Sequence, residues 1–84
     1  MSQWVVYVLR CGDDSLYTGV TTDVERRVHE HNFDNKLAAS YTRSRRPVKL
    51  AYTEECDDRS EALKREIDIK KLKRKQKEAL IGQK

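Results

Sequence analysis

At 84 residues, with 37% hydrophobic and 38% charged positions, the chain predicts a single domain over residues 1–84 with a thin core. A chain of this length buries only roughly 60% of the surface it exposes when unfolded. Cys11 and Cys56 are too few for a disulfide framework and lack the paired spacing of a zinc site, so both are read as free thiols. No apolar run of membrane-spanning length and no leader-like start is present, so a cytoplasmic protein with no membrane association is expected. The 18 Lys and Arg outnumber the 14 Asp and Glu, for a formal charge of +4. They gather in two blocks suited to a polyphosphate partner: Arg43, Arg45, Arg46 and Lys49, then Lys70, Lys71, Lys73, Arg74, Lys75 and Lys77.

Trp4 to Leu9 is apolar at successive positions, as in a strand covered on both faces, and Gly12-Asp13-Asp14-Ser15 supplies turn chemistry. A hairpin follows, its second strand running from Leu16 to Val20 past Gly19, where a missing side chain admits a close neighbour. Thr22 with Glu25 reads as a capping box for a helix reaching His31 or Asn32, with Val24 and Val28 as its apolar stripe. Phe33 to Arg46 has no periodicity and is expected to be a long loop with room for one turn of helix. After Pro47, the run Val48 to Thr53 alternates, which puts Val48, Leu50 and Tyr52 on one face of a third strand. Asp58 with Glu61 starts a second helix, with Ala62, Leu63, Ile67, Ile69 and Leu72 as its apolar positions. This helix leads into a basic helical segment at about 70–84, with a break near Lys73. The fold class is therefore α+β: a three-stranded antiparallel sheet flanked by helices, in the order β-β-α-β-α(-α).

Several residues interrupt these patterns. Tyr7 and Tyr17 stand on adjacent strands, where two phenols can flank a phosphate or water, or simply pack across the sheet. Arg27 lies one turn from Val24 and His31, beside the apolar stripe, and can reach into a site or pair with Asp23. Glu66 borders the apolar stripe of its helix, and is either a metal ligand held against the sheet or the partner of Lys70 one turn on. His29 and His31 diverge on a helix and make a poor ligand pair, although His31 can share the face of Arg27.

The order of these residues resembles the GIY-YIG nuclease superfamily. The resemblance rests on Val6-Tyr7-Val8, Tyr17-Thr18-Gly19, Asp23-Val24-Glu25-Arg26-Arg27 and Glu61-Ala62-Leu63-Lys64-Arg65-Glu66. Ser40-Tyr41-Thr42-Arg43 and Arg46-Pro47-Val48-Lys49-Leu50 further match the small single-domain, YhbQ-like branch. It implies a catalytic set of Tyr7, Tyr17, Arg27 and Glu66 on one face, with Gly19 and His31 in support. Glu66 is the implied ligand of a single Mg²⁺ or Mn²⁺ ion. The implied activity is a DNA endonuclease or nickase, in DNA repair or processing, with RNA as a further substrate and a protein partner for targeting both left open. The alternative is a non-catalytic nucleic-acid-binding module. Tyr41, Arg43, Arg45, Arg46, Lys70, Lys73 and Arg74 are the candidate nucleic-acid contacts. Two departures stand out: Val5-Val6-Tyr7 replaces Gly-Ile-Tyr, and Val20 follows Gly19 where many members carry Lys or Gln. The phenol also needs activation, because at an ordinary pKa near 10 only roughly one tyrosine in a thousand is ionised at pH 7.

Overall fold

The structure is a computed structural model that describes residues 3–82. Residues 83 and 84, the end of the expected basic segment, lie outside the described residues. Strands β1 (Trp4–Arg10), β2 (Leu16–Thr21) and β3 (Lys49–Cys56) form one antiparallel sheet in the order β2-β1-β3. Helix α1 (Val24–Phe33) and the single turn α2 (Ser40–Arg43) precede β3, and α3 (Arg59–Lys71) and α4 (Arg74–Gly82) follow it. The α+β class and the element order match the sequence reading, including one turn of helix in the long loop and a break after Lys71.

The central strand β1 explains the unbroken apolar run. Val6 and Val8 are buried with Cys56, Ala62 and Ile69 on the side covered by α3, where Leu80 and Ile81 of α4 also pack. Tyr7 and Leu9 are buried with Cys11 and Val48 on the other side, against Val28 of α1. Two-sided burial of Val and Leu contributes about 1.5–3 kcal/mol for each such side chain. Both cysteines are free and buried.

Four local expectations are corrected. The N-cap of α1 is Asp23, one residue later than expected, because its carboxylate accepts from Arg26 N while Thr21 Oγ1 accepts from Asp23 N. Strand β3 extends to Cys56, through three polar residues, because it pairs with β1 along its length. Val48, Leu50 and Tyr52 do not share a face: Val8 pairs with Tyr52 and Leu9 with Leu50, so Ala51 is an extra, bulged residue. Tyr52 consequently packs on the α3 side, whereas Leu50 borders α1. On α3 only Ala62 and Ile69 are buried, and Ile67 is 52% exposed, because the short sheet covers a narrow stripe of the helix. Asp58 caps α3 as expected by accepting from Glu61 N, and Glu61 returns a bond to Asp57 N.

Candidate active site

The site begins with a glycine. Tyr7 on β1 faces Gly19 on β2, and a β-carbon at residue 19 would stand 2.5 Å from the Tyr7 hydroxyl and 2.7 Å from its Cζ. The phenol ring thus lies across the neighbouring strand, which only a residue without a side chain permits. Tyr17 pairs with Leu9, two residues along from Tyr7 on the same face, and the two phenol rings are 6.5 Å apart.

Helix α1 brings His31 onto this pair. Its ring is fully buried, 5.9 Å from Tyr7 and 5.3 Å from Tyr17, and its Nε2 lies 2.9 Å from Tyr7 Oη. The other nitrogen, Nδ1, lies 2.7 Å from Thr42 Oγ1 of α2. Burial, helped by the Arg27 charge, pushes the His31 pKa down to about 4, so the ring is neutral at pH 7. Burial likewise pushes Tyr7 up to about 12, with Arg27 opposing the rise and the Tyr17 and Glu66 charges adding to it. Tyr7 therefore holds its proton, and its hydroxyl is hydrogen-bonded to the His31 ring.

Arg27 is half-buried beside the phenol, close enough for its charge to act on Tyr7. Its NH1 donates to Glu30 Oε1 at 2.9 Å and to Leu37 O at 2.7 Å, which fixes the stem. The alternative pair with Asp23 does not form, because that carboxylate caps the helix. Glu66 sits on α3 between the buried Ala62 and Ile69, its side chain 18% exposed, with Lys70 Nζ 3.4 Å from Oε2. Glu66 forms the pair with Lys70, and it is half-buried with its charge acting on Tyr7.

The candidate nucleic-acid contacts separate into anchored and free groups. Tyr41 stacks on Tyr17 with ring centroids 5.8 Å apart, and the Arg45 guanidinium lies 3.9 Å from the Tyr41 centroid. Arg45 also pairs with Asp13 of the hairpin turn at 3.1 Å. Arg43 donates to Asn35 O within the loop, while Arg46 donates to His31 O and Asn35 Oδ1 and so holds the loop against α1. Arg74 pairs with Glu78 and Asp14, which, with Arg10, fastens α4 to the hairpin. Lys73 is exposed and has no ion pair among the described residues.

Two residues of this site escaped the sequence reading. Asn32 bridges Val48 through both its amide atoms, donating to Val48 O at 3.0 Å and accepting from Val48 N at 2.8 Å, and so pins the entry to β3. Thr42 contacts His31 across eleven positions of mostly irregular chain, so no periodicity could have paired them.

A GIY-YIG catalytic domain model matches residues 3–79. The chain belongs to the GIY-YIG family. This GIY-YIG domain is 55% identical over 78 residues to a UPF0213 protein of Desulfotalea psychrophila, covering 93% of this chain and 70% of that one. It is 57% identical over 76 residues to a UPF0213 protein of Halobacterium salinarum, covering 90% and 96% of the two chains. The solution structure of a UPF0213 protein from Bacillus halodurans aligns with a TM-score of 0.61 at 42% identity, over 100% of this chain and 86% of that one. A protein of E. faecalis aligns with a TM-score of 0.64 at 47% identity, over 94% and 82%. The GIY-YIG domain is thus of the small, YhbQ-like UPF0213 kind, and its family implies a nuclease-type function. No helix among the described residues is long and apolar enough to cross a membrane.

Proposed function

We propose that this GIY-YIG domain is a metal-dependent endonuclease or nickase that hydrolyses phosphodiester bonds in DNA, in repair or processing within the cytoplasm. The observation that supports it most is the hydrogen bond between the Tyr7 phenol and a neutral, buried His31, beside Arg27 and within reach of the Glu66 charge.

The donor set fits Mg²⁺ or Mn²⁺. Glu66 already holds a cation, the Lys70 ammonium, against Oε2. A single carboxylate is a hard oxygen ligand of the kind such an ion takes, the rest of its shell coming from phosphate oxygens and water. When bound at Glu66, the ion would supply Lewis-acid stabilisation of the leaving oxygen.

The remaining chemistry belongs to the side chains. A phenol with a pKa of about 12 is a poor source of free phenolate at pH 7. It does not need to ionise if it relays. The attacking water gives a proton to Tyr7 Oη as the phenol proton passes to His31 Nε2. The water oxygen bonds to phosphorus, the bond from phosphorus to the leaving sugar oxygen breaks, and that oxygen is protonated from solvent. The phosphate charge in the site raises the basicity of His31 during this step. Arg27 stabilises the equatorial oxygens, and Tyr17, with Tyr41 stacked on it, borders the substrate.

The second reading is a module that binds nucleic acid without cutting it. Val20 favours it, because this residue packs into the core on the α3 side and offers no charge to the site. The deciding experiment incubates the protein with labelled single-stranded, nicked, branched and duplex DNA, and with RNA, in Mg²⁺, Mn²⁺ or EDTA. Metal-dependent cutting of one substrate supports the nuclease; retention of DNA with no cutting in either metal supports the module.

A further inference from the structure

We propose that Thr42 is a positioning residue that fixes the tautomer of His31 and so dictates the direction of the Tyr7 proton. Its part in catalysis rests on the nuclease reading above; the tautomer itself does not.

A neutral imidazole has one N–H, and both His31 nitrogens are engaged, Nε2 with Tyr7 Oη at 2.9 Å and Nδ1 with Thr42 Oγ1 at 2.7 Å. Those two bonds alone permit either tautomer. A third bond decides between them: Thr42 Oγ1 lies 3.0 Å from Ala39 O, an atom that can only accept. The single hydroxyl proton of Thr42 is directed there, so its oxygen accepts from the ring. Nδ1 therefore carries the hydrogen, and the bare Nε2 accepts from Tyr7.

The opposite tautomer leaves more unsatisfied. Nε2–H would then donate to Tyr7 Oη, and the phenol proton of this buried residue would need another acceptor. Among the described residues no other acceptor lies within hydrogen-bonding distance of Oη. An unpaired buried donor costs about 1–3 kcal/mol. All three hydrogens consequently point the same way, from the sheet through His31 into the α2 turn. Oη keeps its lone pairs on the side of Arg27, whose charge acts on the phenol. Thr42 is fully buried, so solvent cannot substitute for its hydroxyl.

The test combines NMR and kinetics on the full chain. Long-range ¹H–¹⁵N correlation at pH 7 should show a protonated Nδ1 and a bare Nε2 for His31 in the wild type and in Thr42→Ser. In Thr42→Val the Nδ1–H preference should be lost, and kcat for DNA cleavage should fall about 100-fold with little change in KM. Thr42→Ser should stay within about threefold of wild type, since the hydroxyl is kept. A wild type with protonated Nε2 or an imidazolium overturns the proposal even if the valine variant fails to fold. A folded Thr42→Val that keeps both the tautomer and the rate also overturns it. If no variant cuts DNA, yet the tautomer follows the Thr42 hydroxyl as described, the positioning role stands and the nuclease reading fails.

Discussion

The ring of Tyr7 lies across Gly19, its cross-strand partner, so closely that a methyl group at residue 19 would stand 2.5 Å from the phenol oxygen. Gly19→Ala should therefore displace the ring from His31. The expected cost is about 1–3 kcal/mol of stability, as for other overpacked core positions. Denaturant unfolding measures that cost, and the His31 ring signals report whether the Tyr7 bond survives. An unchanged midpoint with unchanged ring signals contradicts the placement.

Acid should destabilise the protein through His31. Its pKa falls from 6.5 in the unfolded chain to about 4 in the fold, so below pH 6.5 the unfolded state takes up a proton that the folded state refuses. Stability from this group is intact above pH 6.5, declines from 6.5 to about 4 and is about 3 kcal/mol lower beneath that. Glu78 acts in a lower window. Its pairs with Arg10 and Arg74 depress it to about 2, so its contribution is present above 4.5 and lost as pH falls towards 2. Urea unfolding at a series of pH values should show a shallower decline between pH 6.5 and 4 for His31→Gln than for wild type.

Arg46 and Lys73 should behave differently, although the sequence offers both as nucleic-acid contacts. Arg46 ties the loop to His31 O and Asn35, whereas Lys73 is exposed. Arg46→Ala should lower stability by about 1–3 kcal/mol, the range for losing a charged hydrogen-bonding group. Lys73→Gln should leave stability unchanged and, if this lysine contacts phosphate, reduce the salt slope of DNA binding by about 1. Fluorescence anisotropy at several salt concentrations checks the second outcome.

Helix α4 is held to the hairpin by charge. Glu78 receives Arg10 at 2.6 Å and Arg74 at 2.7 Å, and Arg74 also reaches Asp14 at 3.2 Å. Glu78→Gln should speed amide hydrogen exchange across 74–82 while leaving β1 protected. Equal exchange in the two proteins would show that Leu80 and Ile81 alone hold the helix.

The sheet and its helices were readable because β1 is buried on both faces, which shows as unbroken apolarity, and because Asp58 marks a helix start with its own side chain. The bulge at Ala51 was not, since alternating residues look the same whether or not the partner strand slips by one. Tyr7, Tyr17, Arg27 and Glu66 are candidates by their order along the chain. Their geometry was hidden, because Gly19 and Thr42 act through contacts between elements far apart in sequence. The three loop arginines look free in sequence, but backbone carbonyls and side-chain oxygens close the loop around them.

The central claim is that Tyr7 and Glu66 belong to one catalytic unit. The most direct measurement is the Mg²⁺-dependent cleavage rate of wild type, Tyr7→Phe, Glu66→Ala and the double variant on the DNA that the substrate panel selects. Each single change should reduce kcat by about 100-fold or more, and the double variant should lose little beyond the worse single one, as residues acting as a unit do. Equal cutting by all four proteins would contradict the account.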